Sequence, residues 1–208
     1  MNFFPELKTY LETLLPEMER IPEDRKAQLA RLSAYIADRR KDGKPVFLNF
    51  ICTHNSRRSH MSQIWAAAAA AYYDIKDMHC FSGGTEATAF NPRAVAAMQR
   101  AGFKIENPGG DNPHYLVRFS PGGPELECFS KVYDDPFNPK TDFAAVMTCS
   151  HADKNCPFIP GATRISITYE DPKVADDSPQ ETARYDERVK QIGFEMFYAM
   201  AGVWELGA

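Results

Sequence analysis

The sequence predicts an α/β protein with a parallel sheet covered by helices on both faces. Three observations carry that expectation. Short, almost wholly apolar runs at 45–52 and 143–148 suit strands buried on both sides. Segments of helical period alternate with such runs along the chain. The length is 208 residues, with 44% hydrophobic and 25% charged side chains. That suits one domain with an extension and a core that needs no disulfides.

Residues 1–43 read as an N-terminal helical extension. Phe4, Leu7, Leu11, Leu14, Leu15 and Met18 recur at helical spacing, and Pro16 ends the run. A second helix starts at Pro22, with Glu23 and Asp24 in its first turn, Arg39, Arg40 and Lys41 in its last, and Gly43 as its stop. This arm is expected to pack on the domain or to mediate a homodimer. Residues 44–208 form the domain proper. Pro45 to Cys52 is a buried strand, Thr53 to Ser59 a polar loop, and Met61 to Ala71 a helix whose alanines allow close packing. His79 to Ser82 is a strand ending at Gly83-Gly84, and Asn91-Pro92 opens a helix that Gly102 closes. Tyr115 to Phe119 and Leu126 to Tyr133 flank Ser120-Pro-Gly-Gly-Pro124, which predicts a β-hairpin inserted at about 114–134. Phe143 to Thr148 and Arg164 to Thr168 are further strands. Ser178-Pro-Gln-Glu181 has the pattern of a capping box opening a last helix towards Ala199.

Composition excludes some roles. A formal charge of -4 argues against a nucleic-acid partner. The longest apolar stretch, Ile64 to Tyr73, is mostly alanine and too short to span a bilayer, so no membrane association is expected. The start MNFFPELKTY lacks the basic and apolar regions of a signal peptide, which makes the cytoplasm the default compartment. The five cysteines, an odd number, then read as reactive or core thiols, not a disulfide framework.

The chemistry concentrates in Cys52-Thr-His-Asn-Ser-Arg-Arg58-Ser59, between a buried strand and a helix. In parallel sheets, ligands bind beyond the C-terminal strand ends, where helix N-termini and loop amides point. A loop there can cradle an anion without a basic surface. The residues of the cradle are Thr53, His54, Asn55, Ser56, Arg57, Arg58 and Ser59. Such a site favours a cysteine in its ionised, nucleophilic form. Five intervening residues let Arg58 face Cys52 across the loop, and its planar guanidinium can grip two oxygens at once. Ser59 can donate to the thiolate, and Asn55 can tie the loop's own backbone. The plain alternative is a core cysteine and a solvated arginine; the flanking strand and helix weigh against it.

Val46-Phe-Leu-Asn-Phe-Ile-Cys-Thr-His-Asn-Ser-Arg-Arg-Ser-His-Met61 resembles the signature of the low-molecular-weight protein tyrosine phosphatases and the related thioredoxin-coupled arsenate reductases. Ser82 to Ala87, Asn91 to Ala94 and Glu170-Asp171-Pro172 resemble further motifs of that family, in order, over about residues 45 to 200. The resemblance implies a flavodoxin-like three-layer fold with a four-stranded parallel sheet. It implies Cys52 as nucleophile, Arg58 as oxyanion clamp and Asp171 as general acid; read without it, Asp171-Pro172 is an ordinary turn.

Val146-Met-Thr-Cys149-Ser-His-Ala-Asp-Lys-Asn-Cys156-Pro157 resembles the arsenate reductase branch, in which a cysteine pair relays electrons. The resemblance implies that Cys149 attacks the Cys52 sulfur after an arsenic adduct forms, that Cys156 attacks Cys149, and that thioredoxin or another dithiol reduces the resulting disulfide. No bound cofactor or metal is expected. Passive thiols, or zinc held by Cys149, His151 and Cys156 without an evident fourth ligand, are the alternatives. Cys80 and Cys128 lie in strand patterns and read as packing residues.

The chain departs from the family pattern in several places. His54 stands at the usual glycine, which predicts a strained or reshaped loop. Arg57 stands at the usual cysteine, and Gln63 at a position often glutamate, which weakens a potassium site described for some reductases. Lys173-Val174 follows Pro172 without the aromatics that help many phosphatases accept a phosphotyrosine ring. The expected substrate is therefore a small oxyanion, arsenate or phosphate, with phosphotyrosine as runner-up. A non-catalytic oxyanion-binding or redox-sensing module is the third reading.

Overall fold

A computed structural model describes residues 1–207. Its centre is a parallel four-stranded sheet of β1 (Val46–Cys52), β2 (Met78–Gly84), β6 (Phe143–Met147) and β7 (Ala162–Ser166), in the order β2-β1-β6-β7. The expected flavodoxin-like α/β fold is the fold observed. Alternation along the strands divides the core. Val46, Leu48, Phe50, Ala144 and Val146 face one side, and Ile51, Phe143, Ala145 and Met147 face the other.

The first side carries α3 (Arg58–Tyr72) and α6 (Glu181–Glu205), with α2 (Glu23–Lys41) beside them and α1 (Pro5–Leu14) and α4 (Pro92–Arg100) against α6. The alanines of α3 let it lie close to β1 and β2. Trp65 is fully buried there, edge-on to Phe103 and Phe197. The apolar stripe of the N-terminal arm is spent within the chain. Leu7, Leu11, Leu14, Leu29, Leu32 and Ile36 belong to this same core. Gly102, at φ +101°, lets the chain pass Leu7, whose Cα would lie 2.6 Å from any added Cβ. The second side is covered by the short α5 (Ser150–Asn155) and by irregular chain around Tyr133 and Ile159.

The insertion differs in detail from a hairpin. β4 (Tyr115–Arg118) pairs antiparallel with β5 (Leu126–Cys128), and β3 (Lys104–Glu106) adds a third strand on the other edge of β4. The three residues of β3 are too few to show a period. The second hairpin arm ends at Cys128, not at Tyr133. Residues beyond it run alongside the end of β2, where Gly84 bridges Val132. The last helix starts later than a capping box at Ser178 would place it. Ser178 Oγ accepts from the Gln180 amide, while the Glu181 carboxylate takes the Asp177 amide, so the first helical residue is Glu181. No helix among the described residues is long and apolar enough to cross a membrane.

Candidate active site

β1 ends at Cys52 and α3 begins at Arg58, so Thr53–Arg57 form the loop at the mouth of the sheet. Its carbonyls are held by surrounding chain. Cys52 O accepts from the Thr85 amide (3.1 Å), and Thr53 O from the Glu86 amide (2.8 Å) and Thr85 Oγ1 (3.1 Å). His54 O accepts from Thr88 Oγ1 (3.2 Å) and Ser130 Oγ (3.0 Å), and Ser56 O from the Asn91 amide (2.8 Å). In a trans peptide the carbonyl and the next amide point opposite ways. Fixing these four carbonyls outward therefore aims the amides of Thr53, His54, Asn55 and Arg57 into the loop. Amides so aimed can act as an anion nest.

The left-handed residue of the nest is Asn55, at φ 44°. His54 itself has no positive φ and leaves its half-exposed ring 3.6 Å from Glu86. Asparagine tolerates that conformation better than most residues. Its side chain also locks it. Asn55 Oδ1 accepts from the Lys131 amide (2.9 Å), which turns Nδ2 onto Ser59 Oγ (2.8 Å). Ser59 Oγ accepts from Asn55 and lies 3.1 Å from Cys52 Sγ, so its hydroxyl hydrogen is available to the sulfur. Asn55 thus ties the loop to the segment after β5, not to the loop's own backbone.

The two arginines face different ways. Arg58 Nη1 donates to Tyr169 O (2.9 Å) and Nη2 to Asp171 Oδ2 (2.5 Å). The structure so brings Arg58 and Asp171 together at the loop, while the partner of the Cys52 thiol is Ser59. Arg57 turns to the scaffold. Its Nε donates to Tyr185 Oη (2.7 Å) and its Nη2 to Asp176 Oδ2 (3.2 Å), and Tyr185 donates to Asp176 Oδ1 (2.8 Å). Adjacent arginines therefore hold the two ends of the segment Asp171–Asp176. Burial pushes the Tyr185 hydroxyl up to about 12, so it remains a donor.

Cys149 and Cys156 bracket α5 as its N-cap and C-cap. Cys149 Sγ accepts from the Ala152 amide (3.3 Å) and lies 3.5 Å from Thr53 Oγ1, next door to Cys52. His151 Nδ1 is 3.2 Å from the same Thr53 hydroxyl. Burial pushes the Cys156 thiol up, with Arg164 opposing. Arg164 donates to the carbonyls of Ala152 (3.2 Å) and Cys156 (3.1 Å), fastening the end of α5. Among the described residues, no three His, Cys, Asp or Glu side chains are arranged to hold a metal ion. Gln63 spends its amide on Cys80 O (3.1 Å) at the outer edge of β2. Burial pushes the thiols of Cys80 and Cys128 far up, in keeping with packing roles.

His60 was missed by sequence reasoning. It lies on the first turn of α3, fully buried, stacked on Phe90 at 4.2 Å, with neither ring nitrogen bonded. Burial, reinforced by Lys131, pulls it down to about 3. The unfolded chain therefore takes up a proton near pH 6.5 that the folded chain refuses until about 3. Stability from this group is full above about pH 6.5 and drains as pH falls through that window. We expect the urea midpoint to drop more steeply from about pH 7 to about pH 4 in the parent than in His60→Phe, which keeps the stack. Parallel profiles would refute the assignment.

No family model matches the chain. Arsenate reductase 2 of Staphylococcus epidermidis is 30% identical over 123 residues, covering 59% of this chain and 73% of that protein. Arsenate reductase of Brevibacillus brevis is 32% identical over 124 residues, covering 59% and 74%. The crystal structure of Primo-1 shares the fold at TM-score 0.50 and 14% identity, over 75% of this chain and 97% of that one. Fold and loop together define an α/β enzyme with a cysteine at the end of the first sheet strand, where the loop to α3 begins. The chain belongs to the family of these arsenate reductases.

Proposed function

We propose that this enzyme is a thiol-dependent arsenate reductase in which Cys52 is the nucleophile and Cys149 and Cys156 relay electrons. The observation that carries the reading is Cys149 beside the nucleophile loop, 3.5 Å from Thr53 Oγ1, with Cys156 at the other end of α5. The names of the two relatives support it.

In this mechanism the Cys52 thiolate, held by Ser59, attacks arsenic. A sulfur–arsenic bond forms, one arsenic–oxygen bond breaks, and Asp171 supplies the proton with which the oxygen leaves as water. Arg58 and the inward amides bear the oxyanion charge. The Cys149 thiolate then attacks Cys52 Sγ. The sulfur–arsenic bond breaks, its electron pair takes arsenic from the +5 to the +3 state, and arsenite departs. Cys156 attacks Cys149 Sγ and releases Cys52 as a thiolate. An external dithiol of the thioredoxin type reduces the Cys149–Cys156 disulfide.

The last internal step demands motion. Residues capping the two ends of α5 lie roughly 10 Å apart at 1.5 Å per residue, whereas a disulfide needs Cα atoms within about 7 Å. α5 has to unwind, and its short length and polar sequence suit that. Unwinding also frees Cys156 from the burial that opposes its ionisation.

A coupled assay with NADPH, thioredoxin reductase, thioredoxin and arsenate tests the proposal, beside hydrolysis of p-nitrophenyl phosphate. In Cys149→Ser we expect steady-state arsenate reduction to fall to background while phosphate ester hydrolysis persists. Sustained reduction in that variant would refute the relay. The second reading, a phosphatase working through a phosphocysteine, would need only Cys52 and the Arg58–Asp171 pair, and not the relay cysteines. Efficient phosphotyrosine turnover with no arsenate reduction would favour it. Neither activity, with tight phosphate binding, would favour a non-catalytic module.

A further inference from the structure

We propose that His151 is the proton acceptor that arms Cys149, acting through the hydroxyl of Thr53. The inference rests on the relay reading above and gives that relay its base. Cys149 is 1% exposed, so its thiol has no direct route for a proton to bulk water. His151, two residues on, is exposed. Thr53 stands between them, its Oγ1 3.5 Å from Cys149 Sγ and 3.2 Å from His151 Nδ1. The position of Thr53 is enforced from outside, since its carbonyl is held by the Glu86 amide and Thr85 Oγ1.

In the Nε2–H tautomer, Nδ1 offers its lone pair to the Thr53 hydrogen, and the Thr53 oxygen is free to accept from Cys149. The transfer balances without any redox change. The S–H bond of Cys149 breaks as an O–H bond forms on Thr53, and the original Thr53 hydrogen moves to His151 Nδ1. The resulting imidazolium faces solvent and loses its proton there. The thiolate left behind keeps the Ala152 amide at 3.3 Å and gains the Thr53 O–H as a second donor. Thr53 touches the reacting sulfur and is a catalytic residue of the second step. His151 acts through it and is a positioning residue.

The test reads Cys149 directly and needs no arsenate, so its failure is separable from failure of the reductase reading. In full-length protein carrying Cys52→Ser and Cys156→Ser, the rate of Cys149 modification by methyl methanethiosulfonate is followed by peptide mass at fixed neutral pH. Adding His151→Ala, or separately Thr53→Val, is expected to slow the reaction at least about tenfold. Thr53→Ser, which keeps the hydroxyl, should recover most of the rate that Thr53→Val loses. Free imidazole should restore the His151→Ala protein in a concentration-dependent way and do nothing for Thr53→Val. An unchanged rate in His151→Ala overturns the proposal. A loss that imidazole fails to restore does so too, because it would mean that the ring only supports α5.

Discussion

Arg58→Lys is expected to lower kcat/KM for arsenate and for phosphate esters roughly a thousandfold, the scale for losing an organised oxyanion donor. The reason is geometric. One planar group serves Tyr169 O at 2.9 Å and Asp171 at 2.5 Å from the first residue of α3, directly after the loop. Lysine offers a single point charge on a flexible stem and cannot span such a set. The charge is preserved, so a loss of this size isolates shape from charge. Steady-state kinetics on both substrate types checks it. A loss below about tenfold would mean that the amides hold the oxyanion and that Arg58 mainly braces Asp171.

Gly84→Ala is expected to cost about 3 kcal/mol of stability and to abolish measurable phosphate binding. Gly84 is paired in register with Cys52, and the loop after Cys52 passes over it. A Cβ there would lie 2.2 Å from Glu86 O and 2.7 Å from both Asn55 N and Thr53 O. All three are backbone atoms, so no rotamer change relieves the overlap. The nest itself has to move, and its inward amides lose their common focus. Urea denaturation and calorimetric titration with phosphate measure the two effects. Unaltered phosphate affinity would show that the carbonyl anchors do not shape the nest.

Legibility from sequence followed distance along the chain. The unit from β1 through the loop into α3 was readable because its signals are contiguous: an apolar strand, a polar turn, then an alanine-rich helix. Even there, histidine in place of the usual glycine says only that the loop is strained or reshaped, and not that the left-handed turn falls on Asn55. Side-chain chemistry explains the difference, since Asn55 is held at both ends by Ser59 and the Lys131 amide. Arg57 reads in the sequence as one of the cradle residues, whereas its side chain goes to Asp176 and Tyr185, 119 and 128 positions away. Thr53 and His151 are separated by 98 positions, and no local pattern announces such a pair.

The sequence by itself determined the parallel α/β class, the place of Cys52 at a strand end and the family resemblance, because each depends on residue order over a few tens of positions. Only the tertiary structure decided which hydroxyl serves the Cys52 sulfur, where Arg57 and Arg58 turn, and what lies against Cys149. Those are meetings of side chains carried by separate elements. They are set by the packing of β2, α5 and α6 around the loop, which one-dimensional spacing does not encode.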